Sequence, residues 1–384
     1  MKDKIKVLRI IARLNRGGPA THVMLLNSGM DNNRFSSYLA AGVVSKGEQD
    51  VTCAARKMGI EPIFIPELQR EIRPVSDLIS FLKLYRLMRR LKPDIVHTHT
   101  AKAGALGRLA AVLNRVPVKV HTFHGHVFHS YFGGMRTSLF IFIEKILAGF
   151  TDRIIAISNS QMDDLRDKYR IAAPDKTALI PLGLDLEQFL SIGEKGPGLA
   201  LSVGIVGRLV KIKNHRLFLD AAKRVKEEVP DLKVDFRIVG DGDLKDELIS
   251  YTRGLNMENS VTFTGWREDL AGIYGDLDIV CLTSFNEGTP ISLIEAMAAG
   301  KAVAATDAGG VRDVVRHNES GLLSPSGDCE GLKRNLVTLL RDSNMRKRLG
   351  RNGREFVIKN FSKKRLISDM ERLYEEELQK RGAK

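Results

Sequence analysis

Apolar residues in this chain fall in short unbroken runs separated by longer amphipathic stretches. In the first half the runs lie at Lys6–Ala12, Tyr38–Val44, Glu61–Ile65, Ile95–His97, Val118–Thr122 and Arg153–Ile157. Short runs that are apolar on both faces predict strands buried in a parallel sheet. Between them, helical spacing predicts helices at Thr21–Gly29, Val75–Leu91 and Thr137–Ala148. The second half repeats the scheme. Strands are predicted at Leu201–Val206, Asp235–Val239, Val261–Thr264, Ile279–Leu282, Ala302–Ala305 and Gly321–Leu323. Helices are predicted at His215–Glu228, Leu244–Leu255, Pro290–Ala299 and Glu330–Asp342.

This alternation predicts an α/β protein with two doubly wound, Rossmann-like parallel-sheet domains facing a deep cleft. The seam is expected in the glycine-rich stretch Ser191–Leu199. It gives an N-terminal domain over 1–188 and a C-terminal domain over 199–362. A last helix, Lys363–Lys380, follows Ser362 as its N-cap and is expected to return to the first domain. Ligands of such sheets bind at the carboxyl ends of strands, so candidate chemistry is sought there.

The length of 384 residues suits two domains, and 43% hydrophobic with 28% charged residues is an ordinary globular composition. Cys53, Cys281 and Cys329 share no ligand spacing and are odd in number, which fits a reduced, cytoplasmic compartment. The start of the chain lacks a signal-peptide core, and the most apolar stretch, Ser138–Phe150, is broken by Glu144 and Lys145. No segment has the roughly 20 apolar residues of a membrane-spanning helix. The net charge of +14 is uneven. Residues 1–185 hold 28 Lys and Arg against 16 Asp and Glu, and the rest hold 32 against 30. One basic half beside a near-neutral one excludes a uniformly basic nucleic-acid binder and suggests that the first half meets something anionic.

The most specific motif runs from Ser284 to Gly300. It follows a strand, and Gly288 permits a tight turn before Pro290 opens a helix. The free N–H groups of Thr289, Ile291 and Ser292 then form a phosphate site at the helix N-terminus. Glu287 and Glu295 are carboxylates that accept hydrogen bonds from sugar hydroxyls. A second motif, Gly204 to Asn214, projects Arg208 and Lys213 from a strand end, where two fixed cations neutralise a diphosphate. A third, Arg16 to His22, sets Gly17 and Gly18 before a helix without forming a dinucleotide fingerprint. Six histidines cluster at two strand ends: His97, His99, His121, His124, His126 and His129. They predict an imidazole-lined substrate pocket rather than a metal centre, since neither HExxH nor close Cys or Asp ligands accompany them. Asp241 with Asp243, opening a helix where Asp is a favoured cap, and Asp276 with Asp278, leading into a buried strand, both read as structural. No metal is expected.

With these motifs the sequence resembles the retaining glycosyltransferases of the GT-B fold, family 4, also called glycosyl transferases group 1. The resemblance covers nearly the whole chain. It includes the Gly-Gly loop, Val-His-Thr-His at 96–99, Ile-Ser-Asn-Ser at 157–160, Val-Gly-Arg-Leu at 206–209, Val-Gly-Asp-Gly at 239–242, Phe-Thr-Gly-Trp at 263–266 and the Glu287/Glu295 pair. Leu182-Gly183 stands where the family has Asn-Gly, a mild departure. The resemblance implies transfer of a sugar from a nucleotide diphosphate, a UDP-sugar in the first instance, with retained configuration and no metal or other cofactor. It implies that Arg208 and Lys213 clasp the diphosphate, aided by Gly288, Thr289, Pro290, Ile291 and Ser292. Glu295 would hold the ribose, Glu287 the transferred sugar, and Gly17 with Gly18 would close over the phosphates. His124 would lie beside the anomeric carbon.

The acceptor is expected on the first domain, with His99, Lys102, His126 and Arg153 on its side. Residues 66–119 carry 11 Lys and Arg against 4 Asp and Glu. The helix Leu78–Lys92 groups Phe81, Leu82, Tyr85 and Met88 among Lys83, Arg86, Arg89, Arg90 and Lys92, and large apolar groups recur from Phe128 to Phe142. These features suggest docking on an anionic membrane and an acceptor in cell-envelope polysaccharide or lipid-linked glycan synthesis. A small soluble anionic acceptor, or a sugar-nucleotide epimerase of the same fold, are the alternatives.

Overall fold

The computed structural model describes residues 4–44, 48–69, 71–124, 134–193 and 200–382, with the backbone alone of 134–137. It divides into two compact units: Met1–Leu184 with Lys363–Lys384, and Asp185–Ser362. The first boundary falls at Leu184/Asp185, ahead of residue 188 and of the glycine-rich stretch. Residues just after it belong to the second unit because Phe189, 1% exposed, packs edge-on against Tyr274 at 5.6 Å.

Unit 1 runs β1 (Ile5–Ile11), α1 (Gly18–Gly29), β2 (Phe35–Ala41), α2 (Thr52–Lys57), β3 (Ile63–Phe64), α3 (Pro74–Leu91), β4 (Ile95–His99), α4 (Ala101–Leu113), β5 (Val118–Thr122), α5 (Gly134–Gly149), β6 (Arg153–Ala156), α6 (Asn159–Asp163) and β7 (Thr177–Leu179). Its seven strands are ordered β3-β2-β1-β4-β5-β6-β7, with every pairing parallel. Five successive residues of β1, Val7 to Ile11, are buried, because helices cover both faces of the sheet. On one face Leu8, Ile10 and Val96 meet Leu84, Met88 and Ala110 of α3 and α4.

Unit 2 runs α7 (Glu187–Leu190), β8 (Leu201–Val206), α8 (His215–Glu228), β9 (Val234–Val239), α9 (Lys245–Gly254), β10 (Val261–Gly265), α10 (Leu270–Asp276), β11 (Ile279–Leu282), α11 (Ile291–Ala298), β12 (Ala302–Asp307), β13 (Leu322–Pro325), α12 (Cys329–Arg341) and α13 (Ser343–Phe361). Its parallel sheet is ordered β10-β9-β8-β11-β12-β13. In both sheets the strand order reverses direction beside the first strand, at β1/β4 and β8/β11, which is where doubly wound sheets open to ligands.

The final helix α14 (Lys363–Lys380) belongs to unit 1. Its Leu366, Met370 and Tyr374 pack with Val7, Leu26 and Phe35 on the sheet face opposite α3 and α4. The expected return of this helix therefore supplies five of the fourteen buried residues of one core, Leu366, Met370, Leu373, Tyr374 and Leu378. The apolar grouping expected on α3 is corrected. Leu84 and Met88 are buried, and Phe81 and Tyr85 pack against the same core, so of the four apolar groups named only Leu82 is exposed.

Candidate functional site

In unit 2, β8 delivers Gly207 and Arg208 at its carboxyl end, and the chain turns through Lys211–Lys213 into α8. Asn214 makes that turn in the left-handed region, at φ 49°. Thr283, just past β11, donates from its hydroxyl toward the carbonyls of Lys213 and Asn214 at 2.9 and 3.0 Å. The loops after β8 and β11 are thereby locked together. Lys213 Nζ then lies 2.6 Å from Glu287 Oε1, and Ser284 Oγ donates to the same oxygen at 2.5 Å. Arg208 is exposed, and its guanidinium has no partner among the described residues.

Glu287 is held from behind by Gly309 and Gly310. Gly310 N donates to the Glu287 carbonyl at 2.8 Å. A Cβ on Gly309, whose φ is +57°, would stand 2.2 Å from that carbonyl, and one on Gly310 would stand 1.9 Å from the Gly288 carbonyl. Only glycine permits this approach. Helix α11 starts at Ile291, with Pro290 as N-cap rather than as its first residue. Pro290 O accepts from Leu293 N and Ile294 N, which leaves the Ile291 and Ser292 N–H groups without a backbone partner among the described residues. The Thr289 hydroxyl is buried and likewise unpartnered. Cations, free N–H groups and an unsatisfied hydroxyl thus meet at one strand-to-helix turn, a setting suited to phosphate oxygens.

Glu295 sits one turn into α11, where Tyr274 OH donates to its Oε2 at 2.8 Å. Burial pushes this carboxyl up to about 7, against the lowering effect of the tyrosine hydrogen bond. Asp241 accepts from Gly242 N and Lys245 Nζ within its own turn, and Asp278 accepts from Ser202 N, tying the start of β11 to β8.

In unit 1 the histidines occupy the carboxyl ends of β4 and β5, and α1 adds His22. His97 is buried with both ring nitrogens bonded, Nδ1 to Tyr374 OH at 2.6 Å and Nε2 to Thr122 Oγ1 at 2.7 Å. His121 Nδ1 pairs with Thr98 Oγ1 at 2.8 Å. These two rings are core, not pocket lining, which corrects the expectation. His99 is also buried. Its Nδ1 bonds His124 Nε2 at 2.9 Å, and its ring lies tilted against His97 with centroids 4.1 Å apart. His124 is half-buried, and desolvation lowers it to about 3. Burial also holds His22, His97, His99 and His121 well below the usual imidazole value, so the cluster is neutral at pH 7.

His22, His99 and His124 each bring one ring nitrogen within 4.8 Å of the others, the one convergence among the described residues with which a metal ion could be held. His126 and His129 lie outside the described residues. Gly17 is extended and Gly18 opens α1, and a Cβ on Gly18 would meet nothing within 4 Å.

Two acceptor-side expectations are corrected. Lys102 is paired with Asp77 and the Glu71 carbonyl, and so ties α4 to α3. Arg153 opens β6, at the amino end of the strand and so opposite the carboxyl ends that carry the histidines, and pairs with Glu377 at 2.5 Å. Tyr274, Ser284 and His22 do not stand out as site residues in the sequence. Only His22 carries a signal there, four residues beyond Gly18 on the same short helix.

Two doubly wound units, one with a phosphate-suited turn flanked by paired glutamates, define a GT-B glycosyltransferase. A model described as Glycosyl transferases group 1 matches residues 199–356, and one described as Glycosyltransferase Family 4 matches residues 16–188. The chain belongs to this glycosyltransferase family. It is 32% identical over 327 residues to an Escherichia coli UDP-Gal:alpha-D-GlcNAc-diphosphoundecaprenol alpha-1,3-galactosyltransferase, covering 82% of this chain and 84% of that one. It is 24% identical over 306 residues to the N-acetyl-alpha-D-glucosaminyl L-malate synthase of Bacillus anthracis, covering 78% and 79%. In fold it is similar to Anabaena HepE, solved in complex with UDP, with a TM-score of 0.79, 20% identity, and 97% and 100% of the two chains covered.

Proposed function

We propose that this chain is a retaining, metal-independent glycosyltransferase that moves a hexose or N-acetylhexosamine from a UDP-sugar to a hydroxyl of a lipid-linked glycan. The observation that carries it is the turn holding Arg208, Lys213 and Glu287 against the open N-terminus of α11. The similarity to a galactosyltransferase named for a diphosphoundecaprenol acceptor supports the donor and acceptor classes. Work on a lipid-borne acceptor suits a cytoplasmic enzyme that associates peripherally with an anionic membrane.

In this reading the β-phosphate takes its charge-assisted hydrogen bonds from Arg208 and Lys213 and from the Ile291 and Ser292 N–H groups. Glu295 accepts from the ribose hydroxyls, and Glu287 from hydroxyls of the transferred sugar. The bond from the anomeric carbon to the β-phosphate oxygen breaks as the acceptor oxygen adds on the same face. The departing phosphate takes the acceptor's proton. Fixed cations that stabilise the developing phosphate charge are the main source of rate. His124 is neutral and positions sugar by hydrogen bonding; it holds no proton to give as an imidazolium at pH 7. Gly17 and Gly18 leave backbone open for close approach by the donor.

The test is transfer of labelled sugar from a panel of UDP-, GDP- and ADP-sugars to a synthetic polyprenyl-diphosphate glycan, with the product anomer read by NMR. An α-linked product from an α-linked UDP-sugar, formed equally in EDTA, is expected. Donor hydrolysis without transfer to any acceptor, an inverted product, or full loss of activity in EDTA would overturn the reading.

A further inference from the structure

Helix α5 buries a carboxylate while several large apolar side chains stay exposed. Glu144 is 1% exposed and accepts from Arg108 of α4 at 2.7 and 3.0 Å. Ala148, one turn on, is buried as well. With this stripe inward, the positions on the other side of the helix are Leu139, Phe142 and Ile146, and Phe150 follows at its end. They are 60%, 61%, 49% and 55% exposed. Neighbouring α4, which packs on α5, adds Leu109 and Leu113, both about half exposed. Exposed apolar residues are ordinary when scattered. Six on two adjoining helices form a patch of the kind that marks an interaction surface.

The rim of this patch is cationic. Phe150 and Val112 run into a surface concavity lined by Arg115, Lys119, Arg153, Lys176, Lys380 and Arg381, against Asp152, Asp175 and Glu377. Six cations against three carboxylates leave a surplus of three. Lys145 adds another exposed cation on α5 itself. No helix among the described residues is long and apolar enough to cross a membrane. An apolar centre with a basic border is the composition of a surface that lies in a lipid interface, with its apolar groups at the acyl boundary and its cations among headgroups. A second copy of the chain fits less well, because a two-fold contact through this face would set cationic rim beside cationic rim.

We propose that the outer face of α4 and α5, centred on Phe142 and Ile146, inserts shallowly into an anionic lipid surface, with the Arg115–Arg153 concavity taking headgroup phosphates. This rests on the membrane-associated reading above and names the face that carries it. Arg153, Lys119 and Arg115 thereby gain a role at the lipid surface rather than at the reacting sugar.

Flotation of the full chain, free of affinity tag, with phosphatidylcholine vesicles and with 70:30 phosphatidylcholine:phosphatidylglycerol vesicles tests it. Binding to the second and little to the first is expected. Phe142→Ser with Ile146→Ser should weaken that binding at least tenfold. Lys145→Glu with Arg115→Glu should do the same while leaving UDP affinity unchanged. As a folding-independent readout, Phe142→Trp in a Trp266→Phe background should be quenched by brominated lipid in anionic vesicles, since Trp266 is the one native tryptophan. Equal flotation with both vesicles, undiminished flotation of the serine variant, or an indole at position 142 that brominated lipid leaves unquenched would overturn the proposal. So would a stable dimer in solution that the serine variant dissociates. Expected flotation from a chain that transfers no sugar would instead overturn the function proposed above and leave the lipid face standing.

Discussion

The Lys213 ammonium and the Glu287 carboxylate, two groups with separate expected ligands, are bonded to each other at 2.6 Å. Ser284 adds a second donor to the same oxygen. The cation proposed to meet a diphosphate is thus already paired, and the carboxylate proposed to meet sugar hydroxyls already accepts two hydrogen bonds. A bound diphosphate would compete for Lys213 and release an acceptor oxygen on Glu287, so that the two halves of the donor are recognised together.

Lys213→Ala should lower turnover about a hundredfold, the roughly 3 kcal/mol lost with one charge-assisted transition-state contact. Arg208→Ala should fall by a similar factor. Lys213→Ala leaves Glu287 with Ser284 only, so its melting temperature should also drop slightly. Arg208 has no partner to lose among the described residues, and its variant should melt like the wild type. Steady-state rates and melting curves measured on both variants check this. Transfer within threefold of wild type in either would remove that residue from the diphosphate site.

With Glu295 on the ribose as proposed, nucleotide binding should depend on pH. Burial raises its carboxyl from about 4.5 to about 7. Its raised value means the folded protein binds the proton more tightly than the unfolded chain. That contribution to stability is full below about pH 4.5 and is lost as pH rises through 7. Glu295→Gln should therefore raise the stability of the ligand-free protein at pH 8, by roughly 1–3 kcal/mol. The same change should weaken UDP binding, because the amide is a poorer acceptor for ribose hydroxyls. Wild-type UDP affinity should fall between pH 8 and 6, whereas the variant's should stay flat. A flat wild-type profile by titration calorimetry would remove Glu295 from the ribose.

Much of this molecule is legible in one sequence, for a physical reason. Strands buried on both faces must be apolar at nearly every position, so β5, β8 and β11 stand out with their ends correct. Strand β7 escapes the pattern because it is three residues long with an exposed Leu179. Helix α13 escapes it because two glycines, Gly350 and Gly353, break the apolar spacing of its inner face: a Cβ on Gly350 would stand 2.2 Å from the Gly300 carbonyl. Glu287, Glu295, Arg208 and Lys213 draw attention in the sequence because carboxylates and cations beside a strand-to-helix turn suit a sugar and phosphate ligand. Their partners Tyr274 and Ser284 are ordinary residues whose role exists only in three dimensions. Arg153 misleads for the same reason, since a cation at the start of a strand looks in sequence like one at its end.

The buried imidazoles should make unit 1 acid-labile. His22, His97, His99, His121 and His124 are all lowered by burial, whereas an unfolded histidine titrates near 6.5. Groups lowered in the folded state stabilise it above the unfolded value, and that stability is lost as pH falls below about 6.5. The melting temperature of the full chain should drop steeply between pH 7 and 5. His22→Phe, which replaces a ring whose two nitrogens lack hydrogen-bond partners among the described residues, should blunt the drop. A wild-type melting temperature independent of pH over that range would contradict the neutral cluster.

The ion pair between Arg108 and Glu144 sets which side of α5 faces out, and it is 0% and 1% exposed. Removing one member of a buried pair strands the other charge, at a cost of roughly 3–5 kcal/mol, whereas replacing both by apolar groups of similar volume is often neutral. Glu144→Ala should therefore lower the urea midpoint sharply. Arg108→Met with Glu144→Leu should recover most of it. The double variant keeps an inward stripe at 144 and 148, so its outer face and its flotation with anionic vesicles should match wild type. Arg108 also donates to the Gly104 carbonyl at 2.9 Å, so a small residual loss is expected in the double variant. Equal destabilisation in single and double variants would mean that shape rather than charge holds the two helices together.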